Sequence, residues 1–337
     1  MHVLIDAAAL RSGLIGGLLI GVSSSSLFLL NGKTAGWSSI ISSVARGERG
    51  WPLSFLAGAS ASSALLALYY PAAFGSAVVV GSPALLLFGG ALIGYGTAEG
   101  NGCTSGHGVL GLGRLSPRSL AAVSTFMACG ALAATASVGA PVAAAGVVTA
   151  PSSATVVAPL ALLTLLGEGW RYICRPTVAA PPSSTAASLV AHVAAAACGA
   201  AFAFGLGISG MTNPARVQGF LNPFSKGGWD PALACVMGGA VAITAIVFRF
   251  ASNLQSKPLL DAEAKPLREL VQYGACPKNL VFDAKLFRGA AMFGAGWGLL
   301  GVCPGPALVA AAAGSSAAQF VLAGIASGAL AHAATQS

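Results

Sequence analysis

GNGCTSGHGVLGLGRLSPRS, residues 100–119, closes a run of apolar and glycine residues long enough to enter a membrane, and apolar sequence resumes directly after it. It places a thiol (Cys103), two hydroxyls (Thr104, Ser105) and an imidazole (His107) inside a glycine-rich interruption. Irregular backbone at membrane depth is tolerated only where it is buried in protein or lines a cavity. The segment therefore reads as the break of a discontinuous or re-entrant helix, and it makes the fold an all-α polytopic membrane protein.

The composition agrees. The 337 residues are 55% hydrophobic and only 8% charged, with a mean hydropathy of +0.80, whereas a soluble domain carries roughly 25% charged residues. Apolar runs recur along the whole length, and no basic, apolar and small-residue cleavage pattern opens the chain, so no removable signal is read. A net charge of +8 would suggest nucleic acid in a soluble protein. Here the basic residues sit between apolar spans, where they set orientation instead, and nucleic acid is excluded as a partner. Seven cysteines, an odd number with no CxxC pair, argue against a disulfide framework or a zinc knuckle. No metal or cofactor is expected.

A crossing helix needs about 20 apolar residues. Candidates lie near 11–30, 52–70, 81–100, 117–138, 155–172, 186–208, 229–250, 285–303 and 316–334, nine in all. Spans three and eight end in breaks, 100–113 and 301–306, as short re-entrant helices would. With the sides alternating, fourteen Lys and Arg residues fall in 31–51, 101–118, 171–185 and 249–288, against three (Arg11, Arg216, Lys226) on the other face. The positive-inside rule puts the fourteen, and the polar insertion 251–284, in the cytoplasm and the amino terminus outside, in a plasma or inner membrane.

The chain reads as two halves, 1–150 and 186–337, joined by a connecting span and linker, 151–185. NGKTAG (31–36) parallels SGMTNPARVQG (209–219): Gly32 matches Gly210 and Thr34 matches Thr212, each followed by two spans and a break. Cys103 of the first break matches Cys303 of GVCPGPA in the second. Five spans separate equivalent helices, which makes the repeat inverted. Inverted halves with interrupted helices meeting near the midplane are transport architecture.

After Cys303, Pro304 and Pro306 suit the first turn of a new short helix, whose N–H groups would face the cavity and attract an anion. Ser116 and Pro117 read as N-cap and N1 of the fourth span. Thiols in apolar surroundings keep their protons and donate weakly, which suits an anion with a soft sulfur atom. Cys103 and Cys303 are the candidate substrate-handling thiols, and Asn31, Thr104, Ser105, His107, Thr212 and Asn213 would line or shape the cavity. Cys129, Cys174, Cys198 and Cys235 read as small hydrophobes, and His192 as a satisfied core histidine. Glu99, at the end of span three, is an intramembrane acid that could equally reach interfacial water.

The motifs NGKTAG, GNGCTSGHGVLGLGRLSPRS, GLGISGMTNPARVQGFLNP and FGAGWGLLGVCPGPALV, in this order along the chain, resemble the YeeE/YedE sulfur-transport family across roughly 11–138 and 190–334. The resemblance implies a fusion of two half-proteins and a membrane path along which thiols pass thiosulfate, or a related sulfur-containing anion, by S–H to sulfur hydrogen bonds. It also implies a cytoplasmic sulfur-accepting protein as partner. Where some members carry a path cysteine in the first span this chain has serines at 23–26, and where many read GHGVCG it has Leu110. The path read here is two thiols with a serine hydroxyl at its outer mouth.

Two other readings use the same residues. Asn213 to Arg216 spell NPAR, similar to the aquaporin pore signature, but the first half offers NGKTAG rather than a second NPA, and nine spans exceed six. A membrane sulfurtransferase forming a persulfide on Cys103 needs a basic neighbour, for which His107 is the candidate.

Overall fold

A computed structural model describes residues 3, 6–47, 50–74, 82–137, 185–224, 228–254, 256–261, 264–273 and 282–336. Helices begin where the sequence supplies caps. Asp6 caps α1 (Ala7–Asn31), and Gly32 ends it with a left-handed φ of 65°, a conformation that glycine adopts without steric penalty. A short α2 (Trp37–Ala45) and α3 (Trp51–Tyr69) follow. Ser82 caps α4 (Pro83–Glu99). Ser116 caps α5 (Pro117–Ala136), with Pro117 in its first turn, as expected.

The second half repeats this order with α6 (Thr185–Ile208), short α7 (Pro214–Leu221) and α8 (Ala232–Ala251). After α9 (Leu267–Tyr273), inside the polar insertion, come α10 (Ala284–Leu300), short α11 (Pro304–Ala312) and α12 (Ser316–Gln336). Among the described residues the only pairing of extended backbone is an isolated bridge between Val3 and Trp229.

The protein is an all-α polytopic membrane protein. Among the described residues six helices, α1, α3, α5, α6, α8 and α12, are long and apolar enough to cross a membrane, and α10 with α11, bent by 40° at their break, makes a seventh. The predicted third span, α4, has 17 residues. The predicted fifth span, 155–172, and the linker around it lie outside the described residues. Eight of the nine predicted spans are thus helices, and the sequence reading missed the short α2 and α7. Both are only 8–9 residues long and interrupted by polar side chains, too short to show an apolar span.

The packing exchanges with itself when the halves are swapped. Helix α1 packs on α8 as α6 packs on α3, and α4 packs on α12 as α10 packs on α5; α1 meets α6 and α4 meets α10. Glycines hold these pairs close. A methyl on Gly94 would overlap the carbonyl of Ile325, one on Gly328 that of Ala91, and one on Gly298 that of Gly130. Small residues that let backbones approach are what associates helices where lipid removes the hydrophobic drive. Leu132, Ile246 and Phe250, by contrast, point outward and exposed, as lipid-facing side chains do.

Gly32 and Gly210, matched in sequence, share the left-handed conformation, φ 65° and 75°. Each lets the chain reverse after a long helix and start a short one. The insertion docks under this turn: Leu259 and Leu260 donate to the carbonyls of Leu29 and Leu30, and Lys33 pairs with Asp261 at 3.3 Å.

Candidate functional site

The first break is more regular than its glycines suggest. Residues Thr104–Gly111 form a π-helix, with Cys103 just before its first residue and the Leu112 N–H bonded to the His107 carbonyl. The wide i→i+5 turn is rare and marks functional sites more often than chance. In the second break, Cys303 holds the same position before α11, in extended conformation, with Pro304 first in the helix. Each short helix packs on the long helix after it and on one long helix of the other half, the π-helix on α5 and α8, α11 on α12 and α3.

This arrangement brings the two thiols to one cavity of about 30 Å3, walled by Cys103, Thr104, Ser105, Cys303, Pro304 and Pro306, among others. It holds about one or two water molecules. Cys103 and Cys303 are buried, at 1% and 2% exposure. The Cys103 sulfur lies 3.3 Å from the Ser105 hydroxyl, and Thr104 donates to the Cys303 sulfur at 3.5 Å. Apolar side chains from the long helices, including Ile20, Phe202, Leu206 and Val236, complete the wall. The donors expected at the start of α11 are fewer than the sequence suggested. Pro304 and Pro306 have no N–H, so Gly305 alone supplies one in the first three residues.

Four of the predicted site residues do not line this cavity. His107 is buried, with Nδ1 3.0 Å from the Ser119 hydroxyl and Nε2 3.1 Å from the Gly100 carbonyl, and so clamps the break to α5. A β-carbon on Gly102 would meet the His107 ring at 2.7 Å. Thr212 donates to the Ala73 carbonyl at 2.6 Å, and Asn31 to the Ala191 carbonyl at 3.0 Å. Asn213 caps α7 by accepting from the Ala215 N–H at 3.0 Å, so the NPAR tetrapeptide serves as a helix start. None of the serines at 23–26 lines the cavity; Ser23 donates to the Cys198 carbonyl at 2.6 Å.

The same geometry answers the other sequence-based assignments. His107 points its nitrogens at Gly100 and Ser119, so the neighbour of the Cys103 sulfur is a hydroxyl rather than the base that persulfide chemistry needs. Among the described residues no cluster of three His, Cys, Asp or Glu could hold a metal. Cys198 is buried, Cys129 and Cys235 are half-buried, and all three are free thiols; Cys174 and Cys276 lie outside the described residues. His192 is satisfied by the Ser54 hydroxyl at 2.9 Å. Glu99, its side chain 1% exposed, is held by Arg288 and by His332, the latter at 2.8 Å.

Sequence reasoning missed Trp37. Its ring lies against Gly305, lines the cavity, and packs edge-on to Phe55 and Phe202 with centroids 5.3 and 5.4 Å away. Its backbone N–H donates to the Ser105 hydroxyl at 3.1 Å. The indole N–H is buried and has no hydrogen-bond partner among the described residues. Nothing local marks this tryptophan; only its placement at the start of α2, opposite both breaks, makes it a wall residue. Arg216 is also buried, and its Nε and Nη1 find no partner among the described residues.

Comparison with known proteins adds the last observation. Residues 190–335 match a family described as "Family of unknown function (DUF6691)". A "Probable transporter" of Xylella fastidiosa (strain Temecula1 / ATCC 700964) is 37% identical over 145 residues, which is 43% of this chain and 90% of that protein. A second, from strain 9a5c, is 38% identical over 138 residues, 41% of this chain and 86% of that protein. A further "Probable transporter" of the Temecula1 strain is 38% identical over 123 residues, 36% of this chain and 90% of its own length. No solved structure matches.

Proposed function

The chain belongs to the same family as these probable transporters, and we propose that it carries thiosulfate or a related sulfur-containing anion across the membrane, past Cys103 and Cys303. One observation carries the reading. Two thiols 200 positions apart, one from each half, wall the same cavity between short helices that break longer spans.

A protonated thiol donates to a soft, polarizable sulfur and gives about 1 kcal/mol net per contact, enough to hold an ion briefly and release it. The hydroxyls of Thr104 and Ser105 stand beside the sulfurs and can bond the anion's oxygens. The cavity has room for about one or two water molecules, and in this reading the π-helix and α11 move apart as the dianion passes.

In this reading the halves form an inverted repeat, equivalent to two half-proteins fused in one chain, and the exchange of helix pairings between halves supports it. The relatives, each matching less than half of this chain over most of their own length, support the fusion. The excess of Lys and Arg places the loops 31–51 and 101–118 and the insertion in the cytoplasm and the amino terminus outside. A cytoplasmic protein that accepts the delivered sulfur is the partner this orientation implies.

The test is uptake of radiolabelled thiosulfate into vesicles carrying the full chain. Cys103→Ala and Cys303→Ala should each abolish most of the uptake while the protein remains in the membrane at normal abundance. Full uptake in either variant overturns the role of the thiols.

A further inference from the structure

One connection breaks the likeness of the halves. Residues 70–82, 13 in number, lead from α3 to α4, whereas their counterpart from α8 to α10, residues 252–283, has 32. Both dock at the matched glycine turns. The Ala73 carbonyl accepts from Thr212, two residues after Gly210, and Pro258 lies over Gly32, where a β-carbon would meet it at 2.7 Å. The longer connection does more. Leu259 and Leu260 donate to the Leu29 and Leu30 carbonyls, two of the last four of α1, which have no partner inside their own helix. It is also tied to itself: the Leu267 N–H reaches the Ser256 carbonyl at 2.9 Å and the Arg268 N–H that of Leu254 at 3.3 Å.

The extra length builds a small apolar cluster apart from the main core. Leu267 and Val271 of α9 share it with Phe28 near the end of α1, with Phe248 and Ala251 at the end of α8, and with Leu110. Leu110 belongs to the π-helix that begins at Thr104, so the cluster takes hold of the first break. Arg114 repeats the link. Its Nε donates to the Leu110 carbonyl at 3.2 Å, and its guanidinium stands 5.5 Å from the centre of the Phe248 ring. Matching Cys103 to Cys303 puts Ala310, with a single methyl group, at the place of Leu110 in the second break.

We propose that the insertion is a strap: it fastens the π-helix, through Leu110, to the ends of α1 and α8, and so restrains the separation of the two breaks. Contacts made in one arrangement and lost in another hold down the population of the second. Packed apolar clusters respond to the loss of even a few methyl groups, so the strap can be loosened from its own side without touching either thiol. That it slows uptake rests on the transport reading; that it restrains the break does not.

The experiment uses the full chain with two sets of insertion substitutions, Leu267→Ala/Val271→Ala and Asp261→Asn. Cys103 and Cys198 are both buried, and of these two Cys103 adjoins the π-helix while Cys198 lies within α6. Alkylation by N-ethylmaleimide, resolved by peptide mass spectrometry, should be about fivefold faster at Cys103 in the double variant and unchanged at Cys198. Thiosulfate uptake into vesicles should rise about threefold. Asp261→Asn should shift both readings the same way by less than about twofold, because its ion pair with Lys33 is 39% and 30% exposed at the two side chains. Leu110→Ala should speed Cys103 as the double variant does, and combining the two should add little, because both release the same contact.

Cys103 alkylation unchanged by the double variant overturns the strap, and so does uptake by an active parent that fails to rise in the variant while Cys198 stays protected. Where the double variant exposes Cys198 as well, Val271→Ala alone and Asp261→Asn decide by the same two readings. Faster alkylation of Cys103 in variants of a parent that takes up no thiosulfate keeps the restraint on the break and removes the transport reading.

Discussion

The hydroxyl of Thr104 donates to the sulfur of Cys303 across 3.5 Å, joining residues 199 positions apart and belonging to opposite halves of the chain. It is a direct side-chain link between the two breaks. In the proposed passage the breaks separate, and this bond is one that their separation would break. Thr104→Val keeps the shape and removes the bond, whose net contribution is about 1 kcal/mol. If the bond only latches the gate, thiosulfate uptake rises by about threefold to fivefold. If the hydroxyl also binds the ion, uptake falls instead, while Thr104→Ser retains it. Vesicle uptake by both variants separates the two roles.

Trp37→Phe preserves an aromatic ring between Phe55 and Phe202 and removes an indole N–H that has no partner among the described residues. A hydrogen bond to a charged group contributes about 1.5–3 kcal/mol. Thiosulfate uptake should fall about tenfold, with thermal stability in detergent equal to or above that of the parent, because an unsatisfied buried donor has been removed. Unchanged uptake would show that the indole only packs.

His107→Ala should act on stability first. It leaves the Gly100 carbonyl and the Ser119 hydroxyl buried without their imidazole partner, and each such group costs about 1–3 kcal/mol. Thermal unfolding followed in detergent should show a loss of about 2–4 kcal/mol. Gln at 107, able to donate and accept, should recover part of it. A catalytic imidazole would behave otherwise, with stability intact and activity lost.

Asp283 caps α10 outside the membrane-spanning segments, and its carboxyl is held below the usual carboxylate range, chiefly by the Leu286 N–H and then by Arg118. A depressed carboxyl stabilises the fold above its unfolded pKa, and that contribution disappears as pH falls through the lower, folded value. The parent should be more stable than Asp283→Asn at neutral pH, and the difference should shrink to nothing under acid conditions below the ordinary carboxylate range. Melting curves of both proteins across pH check the sign. With Asp283 42% exposed at its side chain, the difference should be small and weaker in high salt.

Much of the helical layout could be read locally. Ser116 with Pro117 and Cys303 with Pro304 open helices as their chemistry predicts. The breaks follow Glu99 and Leu300 within a residue or two of the expected positions. That His107 bonds the turn fits its chemistry, but which groups it meets could not be read locally, because a histidine's neighbour in the chain says little about its neighbour in space. Its partner Ser119 lies twelve residues on, across a turn whose π-helical winding has no apolar period to reveal it.

Periodicity, caps and composition therefore determined that this chain is helical, crosses a membrane many times and breaks its helices at two matched cysteines. These depend on each residue and its near neighbours along the chain, and a lipid environment restricts them to few outcomes. That the two thiols share a cavity and that Trp37 walls it was decided only by tertiary packing. Those contacts join segments dozens to hundreds of residues apart, and close approach of glycine-bearing helix faces, rather than any local pattern, determines which of them meet.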